Sequence, residues 1–367
     1  MSLDSVGSPP DSRQQQLEQW LASQLGVAVS GVSAGSDAGF RRYFRYQLDG
    51  RSLIAMDAPP ASEDCRPFVK VARMLAKAGV SVPEILAEDL QRGFLLLSDL
   101  GRHSYLDVMN EPGFSLEQAD DLFTDAIDAL IKFQQSSQPD VLPNYDEVLL
   151  RRELELFPEW YLQRHLGLTI NGGLTINGGL TARDDLGINK TLRVLLDQLF
   201  DQLIEQVLSQ DKVYVHRDYM PRNLMAVDLK GGDIAARGAG VGVLDFQDAV
   251  YGPVSYDAAC LFKDAFISWP ESNVEQWLKQ YWQQAQAVNL PVPDAFEQFQ
   301  RDCDFMGTQR YLKVIGIFSR LYHRDGKTRY LEDVPRFFDY LKIVATRRPE
   351  LQALREVIKL LEEKVTV

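Results

Sequence analysis

The sequence predicts an α+β protein of two lobes, a small antiparallel-sheet lobe followed by a larger, mostly helical one. Three observations carry this. Between about residues 30 and 100, short strand-like runs and turns surround one helical pattern. Beyond residue 101, apolar residues recur at helical spacing over six long segments. The 367 residues are enough for two domains, or for one large two-lobed unit with a real core. The expected boundaries are a polar, Pro/Ser-rich frayed tail over 1–12, a first lobe over 13–98 and a second over 99–367.

The elements follow in order. Leu17, Trp20, Leu21 and Leu25 mark a helix over 13–25. A Gly/Ser-rich turn, GVSAGSDAGF, runs to Phe40. RRYFRYQL and RSLIAMDA are strands, the second stopped by Pro59 and Pro60, which cannot donate to a ladder. Residues 66–78 form a helix with Phe68, Val71, Ala72 and Leu75 on one face. SVPEILAEDL and GFLLLSDLG are two further strands. The long helical segments are 115–136, 146–165, 190–209, 272–287, 294–322 and 349–364, with strand islands at 212–216, 223–228 and 240–246. LTINGG at 168–173 repeats at 174–179. Two copies of six residues make no solenoid, and the Asn-Gly pairs mark a tolerant surface loop.

Composition narrows the class. The chain is 45% hydrophobic and 25% charged, with a net charge of −13. That acidity argues against general nucleic-acid binding and against an anionic membrane surface, since both need a basic footprint. Cys65, Cys260 and Cys303 are odd in number, far apart and in no metal-ligand spacing, so buried thiols in a reducing compartment are expected. No signal pattern opens the sequence and no apolar run of about 18 residues occurs, so a cytoplasmic protein, acting as a monomer, is the expectation.

The chemistry concentrates in VYVHRDYMPRNLMAVD (213–228) and GVGVLDFQDAVYG (240–252). Phosphoryl transfer from ATP needs one carboxylate to orient or deprotonate the acceptor hydroxyl, and an amide oxygen with a second carboxylate to hold Mg²⁺ on the phosphates. Asp218 suits the first role. Asn223, five positions on, and Asp245, after a short apolar run, suit the second, because Mg²⁺ prefers oxygen ligands.

His-Arg-Asp-x-x-x-x-Asn followed by a strand and Leu-Asp-Phe resembles the catalytic and metal segments of the protein-kinase-like fold. Asp-Phe-Gln in place of Asp-Phe-Gly resembles its small-molecule branch, the aminoglycoside phosphotransferases and choline kinases. SDAGFRRYFR (36–45), LIAMDAPP (53–60), LLLSDLG (95–101), LFPEWYL (156–162) and QRYLKVIGIFSRLYHRDGK (309–327) together resemble bacterial N-acetylmuramate/N-acetylglucosamine kinases of peptidoglycan sugar recycling. The resemblance implies a two-lobed kinase that uses ATP and Mg²⁺ to phosphorylate the anomeric hydroxyl of an N-acetylated amino sugar. It also implies that His216 supports the loop rather than acting as base. The rivals are an aminoglycoside or choline phosphotransferase, whose cationic acceptors call for an acidic pocket, and an inactive nucleotide-binding module.

On the nucleotide side, Ser36, Asp37 and Gly39 lie in a turn whose N–H groups suit phosphates, though the same turn would serve a plain hairpin. Kinases of this fold place a Lys on the third strand and a Glu on the following helix. Here Leu53–Asp57 carries no Lys and FVKVARMLAKAG no central Glu. Losing both together avoids stranding one buried charge. An arginine among Arg41, Arg42 and Arg45 is the expected replacement, with Arg41, Tyr43 and Arg45 sharing a strand face. Ser98, Asp99 and Leu100 fit the adenine-binding linker, Asp99 facing either ribose or solvent. For the acceptor, Arg310, Lys313, Arg320 and Arg324 fall within about 80° on one helix, and an arginine there would suit the lactyl carboxylate of N-acetylmuramate. The same residues would also make a solvated basic face. Glu155, Glu159 and Trp160 form a second candidate group, Trp160 serving equally as core.

Overall fold

A computed structural model of the chain describes residues 12–36, 40–168, 185–227 and 240–365. The expected tail over 1–12 and the repeated LTINGG lie, but for Ser12 and Leu168, outside these residues. Among the described residues the strands are β1 (Val32–Ser36), β2 (Arg42–Leu48), β3 (Arg51–Asp57), β4 (Ile85–Asp89), β5 (Phe94–Ser98), β6 (Lys212–Val215), β7 (Leu224–Ala226), β8 (Val241–Val243) and β9 (Val250–Pro253). The helices are α1 (Ser12–Leu25), α2 (Arg66–Lys77), α3 (Tyr105–Met109), α4 (Leu116–Gln135), α5 (Glu147–Leu154), α6 (Asp185–Leu208), α7 (Tyr256–Phe262), α8 (Glu271–Ala287), α9 (Phe296–Asp325), α10 (Val334–Arg347) and α11 (Gln352–Val365). The α+β class and the N-terminal antiparallel sheet are as the sequence predicts. Contacts divide the chain into two compact units, residues 1–129 with 223–248 and residues 130–222 with 249–367.

The first unit is built on a five-stranded antiparallel sheet in the order β1-β2-β3-β5-β4. Alternation along the strands sends Phe44, Tyr46, Ala55, Phe94 and Leu96 to one face, where Leu17, Trp20 and Leu21 of α1 cover them. Burying each large side chain there contributes about 1.5–3 kcal/mol. The register puts Tyr43 opposite Met56, Arg45 opposite Ile54, and Leu95 and Leu97 beside those two, so these residues share the other face. Val32–Ser36, expected as part of a turn, is instead an edge strand on β2, its register shifted between Ser33 and Gly35, where Gly35 takes φ +131°. Residues 32–35 are exposed, and small residues such as Ser33, Ala34 and Gly35 suit an edge strand.

The second unit is helical. Its α9 packs against α6, α7, α10 and a π-helix over Phe157–His165. From Asp302 to Ser319, α9 is buried on nearly every side, so it has no polar face there. The expected single helix over 146–165 is interrupted. Regular α5 ends at Leu154, four residues before Pro158, whose ring would clash with that carbonyl. The π-helix and α9 approach closely at Gly316, where a Cβ would sit 2.4 Å from the carbonyl carbon of Leu156. Backbone cannot yield as a flexible side chain does. Gly316→Ala should therefore destabilise the protein by about 1–3 kcal/mol. An unchanged urea midpoint would show the contact to be looser than this spacing implies.

All three cysteines are buried and unpaired, as expected. Among the described residues, no helix is long and apolar enough to cross a membrane.

Candidate active site

Asp218 follows β6, whose Val213, Tyr214 and Val215 are buried and pair with β9. The loop after β6 is tied down through its backbone. The N–H of His216 donates to Asp257 Oδ2 at 2.7 Å and that of Arg217 to Asp257 Oδ1 at 3.0 Å. Asp257 lies in the first turn of α7 and is fully buried. Burial pushes its carboxyl up to about 7, although the two N–H groups and Arg310 pull it down. Arg217 takes φ +78°, a left-handed conformation uncommon for a side-chain-bearing residue. The Asp218 N–H donates to His216 Nδ1 at 3.3 Å, which makes that nitrogen an acceptor. His216 is 1% exposed and supports the loop, whereas Asp218 itself is only half-buried.

Asn223 and Asp245 meet in the other unit. The β7–β8 pair sets Leu224 opposite Val243, so the two residues flank the same end of that ladder. The Leu244 N–H bonds the Asn223 carbonyl at 2.9 Å. Asn223 Nδ2 lies 3.5 Å from Asp245 Oδ2, and Gln247 Nε2 donates to Asp245 Oδ1 at 2.8 Å. Asp245 takes φ +61°, a conformation Asp and Asn tolerate better than bulkier residues. Next to it, fully buried Phe246 packs on Phe68 of α2 at 4.8 Å between ring centroids. One carboxylate beside one amide fits Mg²⁺, which takes one or two protein oxygens and fills its shell with water and substrate phosphates. It fits poorly a site closed by protein ligands. Among the described residues, no group of three His, Cys, Asp or Glu side chains is placed to hold a metal.

The residues expected on the nucleotide side lie in the first unit. Asp37 and Gly39 fall outside the described residues, and of Ser36 only the backbone is described, at the end of β1. On β3, the strand without a Lys, Ala55, Met56 and Asp57 are fully buried. Arg42 is committed to Asp57, at 2.5 Å, and Arg13 reaches the same buried carboxylate at 2.7 Å. Arg45 binds Asp99 through Nε at 2.6 Å and Nη2 at 3.1 Å, and its Nη2 also donates to the Gly101 carbonyl. Asp99 accepts the Ser52 hydroxyl at 2.5 Å and the Gly101 N–H at 3.0 Å as well, and these donors hold its carboxyl below the usual range against its burial. The side chains of Arg45 and Asp99 thus brace the segment that follows β5. Ser98 Oγ accepts the Glu84 N–H, and Leu100 packs on β8 so closely that a Cβ at Gly242 would lie 2.7 Å from it. Arg41, expected on the strand face of Tyr43, precedes the first residue of β2 and is half-buried.

The five residues expected around the acceptor lie in different settings. Glu155 receives a two-pronged bond from Arg193, at 2.9 and 2.8 Å. Glu159 is exposed on the π-helix, and half-buried Trp160 lies under the Arg164 guanidinium. Arg324 is exposed and bonded to Asp325. Arg310 is 1% exposed, with neither Nη1 nor Nη2 hydrogen-bonded among the described residues, and Lys313 is buried too. The basic residues of α9 therefore do not form one exposed face.

Sequence reasoning missed Asp257 and Glu153. Glu153, buried on α5, accepts from Arg217 at 2.5 Å, Lys313 at 3.0 Å, Tyr145 at 2.5 Å and Gln309 at 3.1 Å. A signal existed for it, since it falls three residues after Leu150 and four before Phe157, on the helix face that both bury.

The model of the phosphotransferase enzyme family matches residues 30–299. An N-acetylmuramate/N-acetylglucosamine kinase of Pseudomonas aeruginosa is 53% identical over 95% of this chain and 96% of its own. A choline kinase of Streptococcus pneumoniae shares the fold at 12% identity and a TM-score of 0.55, covering 91% of this chain and all of its own. A spectinomycin phosphotransferase solved with ADP and spectinomycin shares it at 12% identity and a TM-score of 0.55, covering 89% and 93%. The chain belongs to the phosphotransferase enzyme family and, within it, to the N-acetylmuramate/N-acetylglucosamine kinases.

Proposed function

We propose that the chain is an ATP-dependent kinase that phosphorylates the anomeric hydroxyl of N-acetylmuramate and N-acetylglucosamine. The observation that carries this is the 53% identity, over nearly the whole of both chains, to a kinase named for those two sugars, in a chain that keeps Asp218, Asn223 and Asp245. Asp218 accepts the hydrogen bond, and as the reaction proceeds the proton, of the attacking hydroxyl. The sugar oxygen bonds to the γ-phosphorus as the bond to ADP breaks. An anomeric hydroxyl is more acidic than an ordinary alcohol, so a carboxylate is a sufficient partner. Asn223 and Asp245 would hold Mg²⁺, which neutralises charge on the phosphates.

The functional division is a nucleotide-binding part over 13–98 and a catalytic and acceptor-binding part over 99–367, acting as a cytoplasmic monomer. The backbone of 36–39 would cover the phosphates. An arginine among Arg41, Arg42 and Arg45 would supply the positive charge that the third strand lacks. Of the acceptor residues, Glu159 and Trp160 keep exposed surface for a sugar, and exposed Arg324 would exchange its Asp325 partner for the lactyl carboxylate.

ATP consumption against a panel of N-acetylated amino sugars, aminoglycosides and choline, with phosphorus NMR of the product, tests the assignment. The expected product is an anomeric phosphate of an amino sugar. Turnover confined to a cationic acceptor would overturn it.

A further inference from the structure

Buried Arg310 and Lys313 and half-buried Arg217 lie on or beside the loop that carries Asp218, and one carboxylate organises two of them. Glu153 is 5% exposed and binds both Arg217 and Lys313 through the same oxygen, Oε1. Its other oxygen takes the Tyr145 hydroxyl and the Gln309 amide. Lys313 also donates to the Tyr256 hydroxyl at 3.1 Å. Every donor facing Glu153 therefore belongs to α9, the catalytic loop or the segment leading into α5.

The loop is thus clamped at one residue from two sides. Asp257 holds the backbone N–H of Arg217, and Glu153 holds its guanidinium. Arg217 sits in the left-handed region immediately before Asp218, so a change in its rotamer or backbone changes where the Asp218 carboxylate points. Charge tells the same way. Glu153 with its two cations leaves one positive charge over, and Arg217, Lys313 and Arg310 all interact electrostatically with Asp218. Burial works against ionisation of Glu153, yet Lys313 and Arg217 hold its carboxyl down to about 2, so it stays charged throughout the working range.

We infer that Glu153 is a positioning residue for the phosphoryl transfer, acting through Arg217 to fix the direction of Asp218, while Lys313 supplies the charge that keeps the buried pair ionised. The inference rests on the role proposed for Asp218. A residue that merely stabilised the fold would lower the thermal midpoint without slowing the folded enzyme.

The test is a double-mutant cycle of Glu153→Gln, Arg217→Met and the pair, with Asp218→Asn as reference. The readouts are kcat, KM for ATP and thermal midpoint. Each single change should lower kcat by about 10–100-fold and leave KM for ATP within about twofold, because the loss falls on the transition state. The double variant should be no slower than the slower single, since both remove the same clamp. Should Glu153→Gln not fold, Glu153→Gln with Lys313→Met replaces it, removing one charge of each sign. A kcat within twofold of wild type for the folded Glu153 variant, or losses that multiply in the pair, would overturn the inference. Full turnover by Asp218→Asn would instead overturn the role of Asp218, so the two failures are distinguishable.

Discussion

Replacing Asp218 by asparagine should cut kcat by about 10²–10⁴-fold while nucleotide affinity changes little. The substitution keeps the shape of the side chain and removes its ability to take a proton. Asp218 is half-buried at the end of a backbone-anchored loop, so the change leaves the loop's hydrogen bonds to Asp257 in place. It does remove a negative charge beside Arg217, Arg310 and Lys313, which are buried or nearly so. Thermal melting of the variant therefore belongs with the assay, to separate a slow enzyme from an unfolded one. Alanine should be at least as slow, and it loses the loop's surface contacts as well. A folded Asp218→Asn protein that turns over at the wild-type rate would remove this residue from the reaction.

What was legible in the sequence was local. The β2, β3, α2, β4 and β5 run is set by alternation, by a single helical face and by the prolines after β3, all within a few residues of each other. Asn223 is read from its spacing after Asp218 and Asp245 from the short apolar run before it, and the β7–β8 pair brings the two together. Elements with mixed patterns were missed. The α7 helix is seven residues long, α10 opens on Val-Pro, and β9 contains both Gly252 and Pro253, each of which reads as a turn.

The least legible features are the buried charges. Charged residues are almost never fully buried unless paired, so the sequence suggests that Arg310 and Lys313 either meet the acceptor or form a solvated basic face, not that they are core. Their burial follows from α9 being surrounded by α6, α7, α10 and the π-helix, which no property of the 296–325 segment reveals. The carboxylate that answers both Lys313 and Arg217 comes from far along the chain, Glu153 lying 160 and 64 positions away. The Asp57 site is similar. Its two arginines come from α1 and β2, and it ties the helix to the sheet.

Asp245→Asn should raise the Mg²⁺ concentration needed for half-maximal activity by more than about 100-fold and lower kcat/KM by a similar factor. Loss of an outer hydrogen-bonding partner alone costs about 10–100-fold in metal affinity, and a direct carboxylate ligand should cost more. The substitution is structurally mild. Asp245 sits at φ +61°, where asparagine is also tolerated, and the amide can still accept the Gln247 donor through its oxygen, giving up only the long 3.5 Å contact with Asn223 Nδ2. Neighbouring Phe246 stays packed on Phe68, so the loop has no reason to move. Gln247→Ala provides the graded case. It removes the 2.8 Å hydrogen bond that orients the carboxylate and leaves the ligand itself, so the Mg²⁺ requirement should rise by about tenfold. Titration calorimetry of Mg²⁺ with a non-hydrolysable ATP analogue reads the same order without turnover: wild type tightest, Gln247→Ala weaker, Asp245→Asn weakest. An Asp245→Asn protein that binds the metal–nucleotide complex as wild type does would place the metal on other residues, and Asn223 would lose its assignment with it.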